Sequence, residues 1–345
     1  MGQPLRIVQW ATGNIGSHSL RAVIQHPDLE LVGTFVYSAD KSGKDAGTLC
    51  GVEPVGVVAT SDVDEIVALD ADCVVYMADR TEVDVLVRLL ESGKNVVATR
   101  SEFHRPAGLD PETRTRIEGA CTRGGTSLHS TGSSPGFISE AMPIVLTSIQ
   151  RRLDVLEIDE FADMSSRNSP EMIFRDLGFG RTPDRFDPSR LAGYAGHTFG
   201  ASLRTVGDGL GLPLDDVVTT GEVAVSTRAV DVAAGRLEGG TVGAIRLSVS
   251  GLRGGRPTLV FRANWYLTTD LDPAWDLRET GWRVVVQGDA PLDIEIRFPV
   301  AEADYPNVSP GYTANRAVNA IPYVCAAEPG IRTTFDLPQI VAALG

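Results

Sequence analysis

The sequence predicts an α/β protein in which a doubly wound parallel sheet comes first and an α+β domain with a mostly antiparallel sheet comes second, before a C-terminal helix returns to the first sheet. Three observations lead there. Buried strands alternate with amphipathic helices through residues 1–148, whereas strand follows strand with few helices through 149–305. Residues 306–345 contain an Ala- and Val-rich helical stretch too apolar to stand in water, and the first domain is the natural surface for it. A chain of 345 residues that is 43% hydrophobic is long enough to bury two such cores.

"LRIVQW" (5–10) reads as a buried strand, "NIGSHSLRAVIQH" carries Ile15, Leu20, Val23 and Ile24 at helical spacing, and "LELVGTFVYS" (29–38) is a second strand. The alternation continues with a helix at "SDVDEIVAL", capped by Ser61 or Asp62, and a strand at "DCVVYMA". Next come a helix at "TEVDVLVRLLESG", with Thr81 as cap and Gly93 as stop, and a strand at "NVVAT". A helix at "DPETRTRIEGACTRGG", with Pro111 in its first turn, and a strand at "TSLHST" close the series. Beyond it, "LDVLEIDEFADMS" (153–165), "VVTTGEVAVSTRAVDV", "GAIRLSVSGLRG", "PTLVFRANWYLT" and "WRVVVQGDAPLDIEIRF" read as strands, with one good helix at "FGASLRTVGDGLG" (199–211). "YTANRAVNAIPYVCAAEPGI" (312–331) is the returning helix, ended by Pro329-Gly330. No internal repeat or low-complexity segment interrupts this order.

The net charge of −14, with no Lys/Arg cluster to offset it, argues against nucleic acid or an anionic membrane as partner and points to a small molecule. The only lysines are Lys41, Lys44 and Lys94, so chemistry in the later two thirds must proceed without a lysine amine. Cys50, Cys73, Cys121 and Cys325 form no CxxC pair and sit in apolar contexts, which reads as buried free thiols. Five dispersed histidines offer no metal-ligand spacing, and a serine or cysteine nucleophile lacks its elbow or partner. The chain opens directly into a strand, with neither a charged leader nor a long apolar run, so a cytoplasmic, reduced protein is expected.

In "ATGNIG", Ala11, Gly13 and Gly16 occupy the three glycine positions of the dinucleotide-binding (Rossmann) fingerprint. The N–H groups of Gly13, Asn14 and Ile15 are then expected to face a pyrophosphate at the helix's positive end. At the end of the second strand, "VYSADKSGK" offers Tyr37, Ser38, Lys41 and Lys44 where NAD enzymes commonly place an acid. A hydroxyl and two cations suit the 2′-phosphate of NADP, while Asp40 leaves NAD acceptable; the plain alternative is a solvated loop whose lysines touch nothing.

Ligands gather at the carboxyl ends of the strands, which singles out "ADRTE" (78–82), "RSEFHRP" (100–106) and "GSSPGF" (132–137). Ala78 and Thr99, beside the first two loops, are further expected cofactor contacts. Glu102 and His104 are groups able to move protons, the plain alternatives being a surface carboxylate and a solvent-facing imidazole. The second domain adds aromatic and small polar residues in "MIFRDLGFG", "YAGHTFG" and "ANWYLT". Phe137, Phe174, His197 and Thr313 are the expected substrate pocket, fit for a weakly polar molecule, with a core role equally open for Tyr194 and His197.

The motifs "QWATGNIG", "VYSADKSGKDAG", "VVATRSEFHRP", "GSSPGF" and "TANRAVNAIP" resemble those of the native amine dehydrogenases and 2,4-diaminopentanoate dehydrogenase, in the dihydrodipicolinate-reductase-like superfamily. The paired histidines and lysine of the true dihydrodipicolinate reductases are missing, so that activity is not expected. In the amine dehydrogenases a glutamate in the loop after the fifth strand is the acid–base group, and the matching residue is Glu102. The resemblance implies NAD(P)H-dependent reductive amination of a small ketone or aldehyde with ammonia, and the reverse oxidative deamination. It also implies that the helix bearing Thr313, Asn315 and Asn319 closes the pocket beside the nicotinamide, and that a homodimer forms through the antiparallel sheet. Asn319 is then expected to bind the carboxamide, with helix capping or interhelical bonding as the alternatives. Arg100, Arg105 and Arg167 remain candidate ligands for a substrate carboxylate. Two competing readings are a carbonyl or cyclic-imine reductase that does not use ammonia, and an NADP sensor without turnover.

Overall fold

A computed structural model describes residues 3–301 and 304–343. They fall into two compact units, Met1–Phe137 with Asn307–Gly345, and Ile138–Pro306.

The first unit is built from β1 (Leu5–Trp10), α1 (Asn14–Gln25), β2 (Leu29–Phe35), α2 (Ala46–Cys50), α3 (Val63–Ala68), β3 (Cys73–Tyr76), α4 (Val83–Glu91), β4 (Asn95–Ala98), α5 (Pro111–Gly124) and β5 (Ser127–Ser130). β3 and β5 are buried at every residue, as continuous apolar or small runs in a doubly covered parallel sheet must be. Helix starts follow the local capping chemistry: Asp62 accepts from Asp64 N at 2.8 Å before α3, and Asp110 accepts from Thr113 N at 2.9 Å before α5. α4 departs from expectation, since Glu82, not Thr81, is its N-cap and no side chain bonds the exposed N–H groups. The Thr81 hydroxyl is donated instead to Glu102. Beyond β2, residues 58–60 bridge to Asp45 and Phe35 without forming a full strand. The Glu102 loop therefore follows β4 in the count of continuous strands, and follows a fifth extended segment only if this one is included.

The second unit comprises α6 (Met142–Thr147), β6 (Leu153–Asp163), α7 (Ser189–Gly209), β7 (Asp216–Ser226), β8 (Val230–Val232), β9 (Gly235–Leu237), β10 (Val242–Arg253), β11 (Arg256–Tyr266), β12 (Leu271–Asp272), β13 (Gly281–Gly288) and β14 (Leu292–Arg297). Its sheet runs β12-β7-β10-β11-β6-β13-β14. Among the described residues its one parallel pair is β11 with β6. α7 starts at Ser189, well before the expected 199, because "LAGYAGH" looks poorly helical from its glycines. One of them is a packing requirement: a Cβ on Gly196 would lie 2.4 Å from Thr219 of the sheet.

α8 (Tyr305–Cys325) and β15 (Gly330–Arg332) end the chain, and from Asn307 onward it belongs to the first unit. Ala317, Val318, Ile321 and Val324 pack with Ile7, Cys73, Val75 and Val97, so the returning helix covers that sheet. The helix expected over 312–331 is shifted. It begins at Tyr305, and the turn at Pro329-Gly330 leads into β15, which pairs in parallel with β5 and completes the order β15-β5-β4-β3-β1-β2. Among the described residues, no helix is long and apolar enough to cross a membrane.

Candidate functional site

Between β1 and α1 the chain makes a tight turn at Ala11, whose φ of +70° is the sole left-handed value at a non-glycine residue among those described. The Ala11 carbonyl accepts from Gln9 Nε2 at 2.9 Å, and Ser19 Oγ donates to Gln9 Oε1 at 2.9 Å, so a buried amide braces the turn. A Cβ on Gly16 would fall 2.3 Å from that carbonyl, which makes glycine obligatory there. At Gly13 the same atom would meet nothing within 4 Å, and the N-terminus of α1 has no side-chain cap. Open space at Gly13 before the uncapped N-terminus of α1 fits an anionic diphosphate.

A cleft of about 630 Å³ runs from this turn (Ala11, Thr12, Gly13) past the end of β2 (Tyr37, Ser38, Lys41) to the segment after β3 (Met77, Asp79, Arg80, Glu82). Lys41 Nζ donates to Thr12 O at 2.9 Å and to Thr12 Oγ1 at 3.3 Å, so the loop is tied to the turn and is not merely solvated. Ser38 donates to Asp40, which holds that carboxyl below its usual range. Lys44 does not line the cleft. Tyr37, offered by the sequence at the end of the second strand, lines the cleft, whereas Arg80 and Glu82 were not singled out within "ADRTE". Tyr37 OH accepts from Trp10 Nε1 at 3.0 Å and donates to Glu82; burial and then that bond push the phenol up, so it stays neutral. Among the described residues the Arg80 guanidinium has no hydrogen-bond or ion-pair partner. The loop "ADRTE" was legible as cleft material, but not which of its side chains turn inward.

Ala78 and Thr99, expected as cofactor contacts, are not among the residues lining this cleft, and neither is Glu102. Ala78 is buried, whereas its neighbours Met77 and Asp79 line the cleft. Thr99 Oγ1 donates to Sδ of the cleft residue Met77, 3.6 Å away.

Glu102 lies in the short turn Ser101–His104 that follows β4, its side chain 20% exposed. Its Oε1 accepts from the Thr81 hydroxyl and from Arg100 Nε at 3.3 Å, whereas Oε2 is buried with no partner. Burial alone would raise this carboxyl, but the bond from Thr81, the local backbone N–H and the Arg100 charge together outweigh it and hold the group below its usual range. The corner therefore carries a carboxylate with one oxygen engaged and one buried without a partner among the described residues. Arg100 donates also to Thr81 Oγ1 at 3.2 Å and to Asp79 O at 2.6 Å, so its guanidinium is occupied in holding this corner. His104 is only 2% exposed; the turn directs it inward, not to solvent as its plain reading expected.

In the loop after β5, Thr313 Oγ1 accepts from Ser133 N at 3.3 Å and shares a 2.7 Å hydrogen bond with Ser133 Oγ, joining α8 to the "GSSPGF" segment. Phe137 is half-buried in the same segment, its N–H on Gly132 O at 2.7 Å. Thr131 Oγ1 and Ser134 Oγ are buried there with no partner. Asn319 is half-buried on α8, and among the described residues neither a cap nor an interhelical bond takes its amide. In the second unit Phe174 is half-buried against Gly180 and Gly235. His197 is exposed, off the buried stripe of α7 that contains Phe199, Ser202, Leu203 and Val206; helical periodicity directs it away from that unit's core. Among the described residues no three His, Cys, Asp or Glu side chains gather as a metal site.

Residues 137–345 match the 2,4-diaminopentanoate dehydrogenase C-terminal domain, and residues 7–107 match dihydrodipicolinate reductase, N-terminus. An amine dehydrogenase from Streptomyces virginiae is 31% identical, the match covering 96% of this chain and 95% of that one. A 2,4-diaminopentanoate dehydrogenase from Acetoanaerobium sticklandii is 25% identical over 85% of this chain and 80% of its own. Among solved structures, the amine dehydrogenase from Mycobacterium smegmatis shares the fold with a TM-score of 0.75, covering 98% of this chain and 97% of that one at 21% identity.

Proposed function

The chain belongs to the family of amine dehydrogenases and 2,4-diaminopentanoate dehydrogenases, NAD(P)-dependent oxidoreductases, and we propose that it interconverts a small ketone or aldehyde plus ammonia with a primary amine. Glu102 is the acid and base of this reading. The observation that carries it is the Oε2 atom, a buried oxygen without an intramolecular partner on a carboxyl group kept ionised by its neighbours.

A bound nicotinamide supplies the hydride that reduces the carbon. The remaining chemistry falls to the chain. Ammonium gives a proton to Glu102, and the free ammonia adds to the carbonyl. Glu102 returns the proton to the departing hydroxyl of the carbinolamine, releasing water, and the restored carboxylate stands beside the iminium cation, which accepts hydride far better than the parent ketone. In the reverse direction Glu102 takes the proton that the amine releases.

For the cofactor, the N–H groups of Gly13, Asn14 and Ile15 hold the diphosphate. Ser38 and Lys41, joined by Arg80 across the cleft, favour NADP over NAD, which is still accepted. Asn319, its amide unclaimed, holds the carboxamide. Thr313 and Phe137 belong to the substrate pocket, and a homodimer through the antiparallel sheet is part of the same reading.

The test is NADPH oxidation with a panel of small ketones, with and without ammonium. Oxidation that depends on ammonium is expected. Oxidation indifferent to it assigns a carbonyl or cyclic-imine reductase instead, and tight NADPH binding without any oxidation assigns a sensor. Glu102→Ala is expected to lower kcat by about 10²- to 10⁴-fold while the Kd for NADPH stays within a few fold. Retained turnover in that variant removes Glu102 from the reaction.

A further inference from the structure

We propose that Thr81 and Arg100 are positioning residues that clamp one oxygen of Glu102 and thereby single out the other, Oε2, as the oxygen that exchanges protons with substrate. The inference rests on the reading of Glu102 as acid and base. A carboxylate has about four lone-pair directions on two equivalent oxygens, and a glutamate side chain can present either of them. Here they are not equivalent. Oε1 receives both the Thr81 hydroxyl and Arg100 Nε, while Oε2 is buried with nothing on it.

The clamp is itself anchored. Tyr76, fully buried at the end of β3, donates its phenol to Arg80 O at 3.2 Å and accepts from Glu82 N at 3.2 Å, so one oxygen bridges the peptides on either side of Thr81. Arg100 is fixed at its far end by Asp79 O at 2.6 Å and crosses Thr81 Oγ1 at 3.2 Å on the way. Both side chains that hold Oε1 therefore refer back to the segment after β3. Asp79, Arg80 and Glu82 of that segment line the cofactor cleft, and Thr81 alone among them is bonded to Glu102. A cap for α4 would be the ordinary role of a threonine here, but the capping position is Glu82, whose side chain makes no capping bond.

The charged and titratable groups of the segments that meet at this corner are Arg100, His104 and Arg105 beside Glu102, with Tyr76, Asp79, Arg80 and Glu82 from the segment after β3. Removing the Thr81 hydroxyl deletes a donor to the ionised form, so the proton affinity of Glu102 must rise. The activity that needs the carboxylate then shifts to higher pH.

The experiment uses the full-length enzyme and the variants Thr81→Ala, Thr81→Ser and Tyr76→Phe. Its first readout is independent of turnover: the ¹³C carboxyl titration of Glu102, assigned by its loss in Glu102→Gln. Thr81→Ala is expected to raise that titration by about one pH unit, to move the acid limb of kcat/KM in the same direction, and to lower kcat about 10- to 100-fold. The Kd for NADPH and the KM for ketone are expected to stay within about threefold. Thr81→Ser is expected to restore all of these values, and Tyr76→Phe to lower kcat less than Thr81→Ala does. A wild-type titration and kcat in Thr81→Ala overturns the proposal, as does equal impairment of the alanine and serine variants, which would assign the effect to packing of the methyl group. If the alanine variant does not fold, Thr81→Val, which keeps the shape and removes the hydroxyl, is read by the same criteria. Turnover retained by Glu102→Gln sinks the acid–base reading, whereas a dead Glu102→Gln beside a wild-type Thr81→Ala sinks only the clamp.

Discussion

At the phosphate turn the ligand-facing groups are peptide N–H groups, and side chains are either absent, as at Gly13 and Gly16, or tucked behind as braces, as at Gln9 and Ser19. At the Glu102 corner, a few strands across the same sheet, the ligand-facing group is a carboxylate, and its direction is set by two other side chains. The first site is limited by volume and indifferent to functional groups. The second is limited by functional groups, and each depends on a partner distant in the chain. Substitutions that add atoms should therefore damage the turn, and substitutions that remove a single hydroxyl or charge should damage the corner and the cleft beside it.

The largest effect at the turn is expected from Gly16→Ala, whose new methyl would sit 2.3 Å from the Ala11 carbonyl. The clash should cost about 1–3 kcal/mol of stability and weaken NADPH binding together with it. Thermal unfolding and a fluorescence titration of NADPH measure the two effects, and an unchanged variant would mean that volume does not limit this turn.

Arg80→Ala is expected to be milder and selective. Loss of one charged contact should weaken NADPH about tenfold while leaving NADH nearly unaffected, because only NADPH carries the 2′-phosphate. Equal loss for both cofactors would move Arg80 from the 2′-phosphate to a part they share.

The smallest effect, of opposite sign, is expected from Ala11→Gly. Relief of the left-handed strain, about 1–2 kcal/mol, exceeds the flexibility cost of glycine, about 0.5–1 kcal/mol, so the variant should gain about 0.5 kcal/mol and melt slightly higher. A lower melting temperature would mean that Ala11 is not strained in the turn.

The corner also explains why some of the site was legible in the sequence and some was not. "RSEFHRP" could be picked out because it follows a buried parallel strand, where ligands collect. Spacing could not say that His104 turns inward while Glu102, two residues earlier, keeps a buried oxygen without a partner among the described residues, since a short turn allows either. Thr81 was read as a cap because a threonine just before an acidic, apolar helical pattern has the chemistry of one. Its hydroxyl oxygen accepts from Arg100 Nε at 3.2 Å in place of a helix N–H, and its proton goes to Glu102.

Helices, strands, their alternation and the glycine turn were decided locally, because periodicity over a few residues and the reach of a Cβ are properties of short segments. The helix over 305–325 with its following edge strand, the inward Arg80 and the unequal oxygens of Glu102 were decided by tertiary structure. Their partners lie far along the chain, Thr81 being 21 residues from Glu102 and 19 from Arg100, and short-range pattern carries no information about which donor will meet which acceptor across that distance.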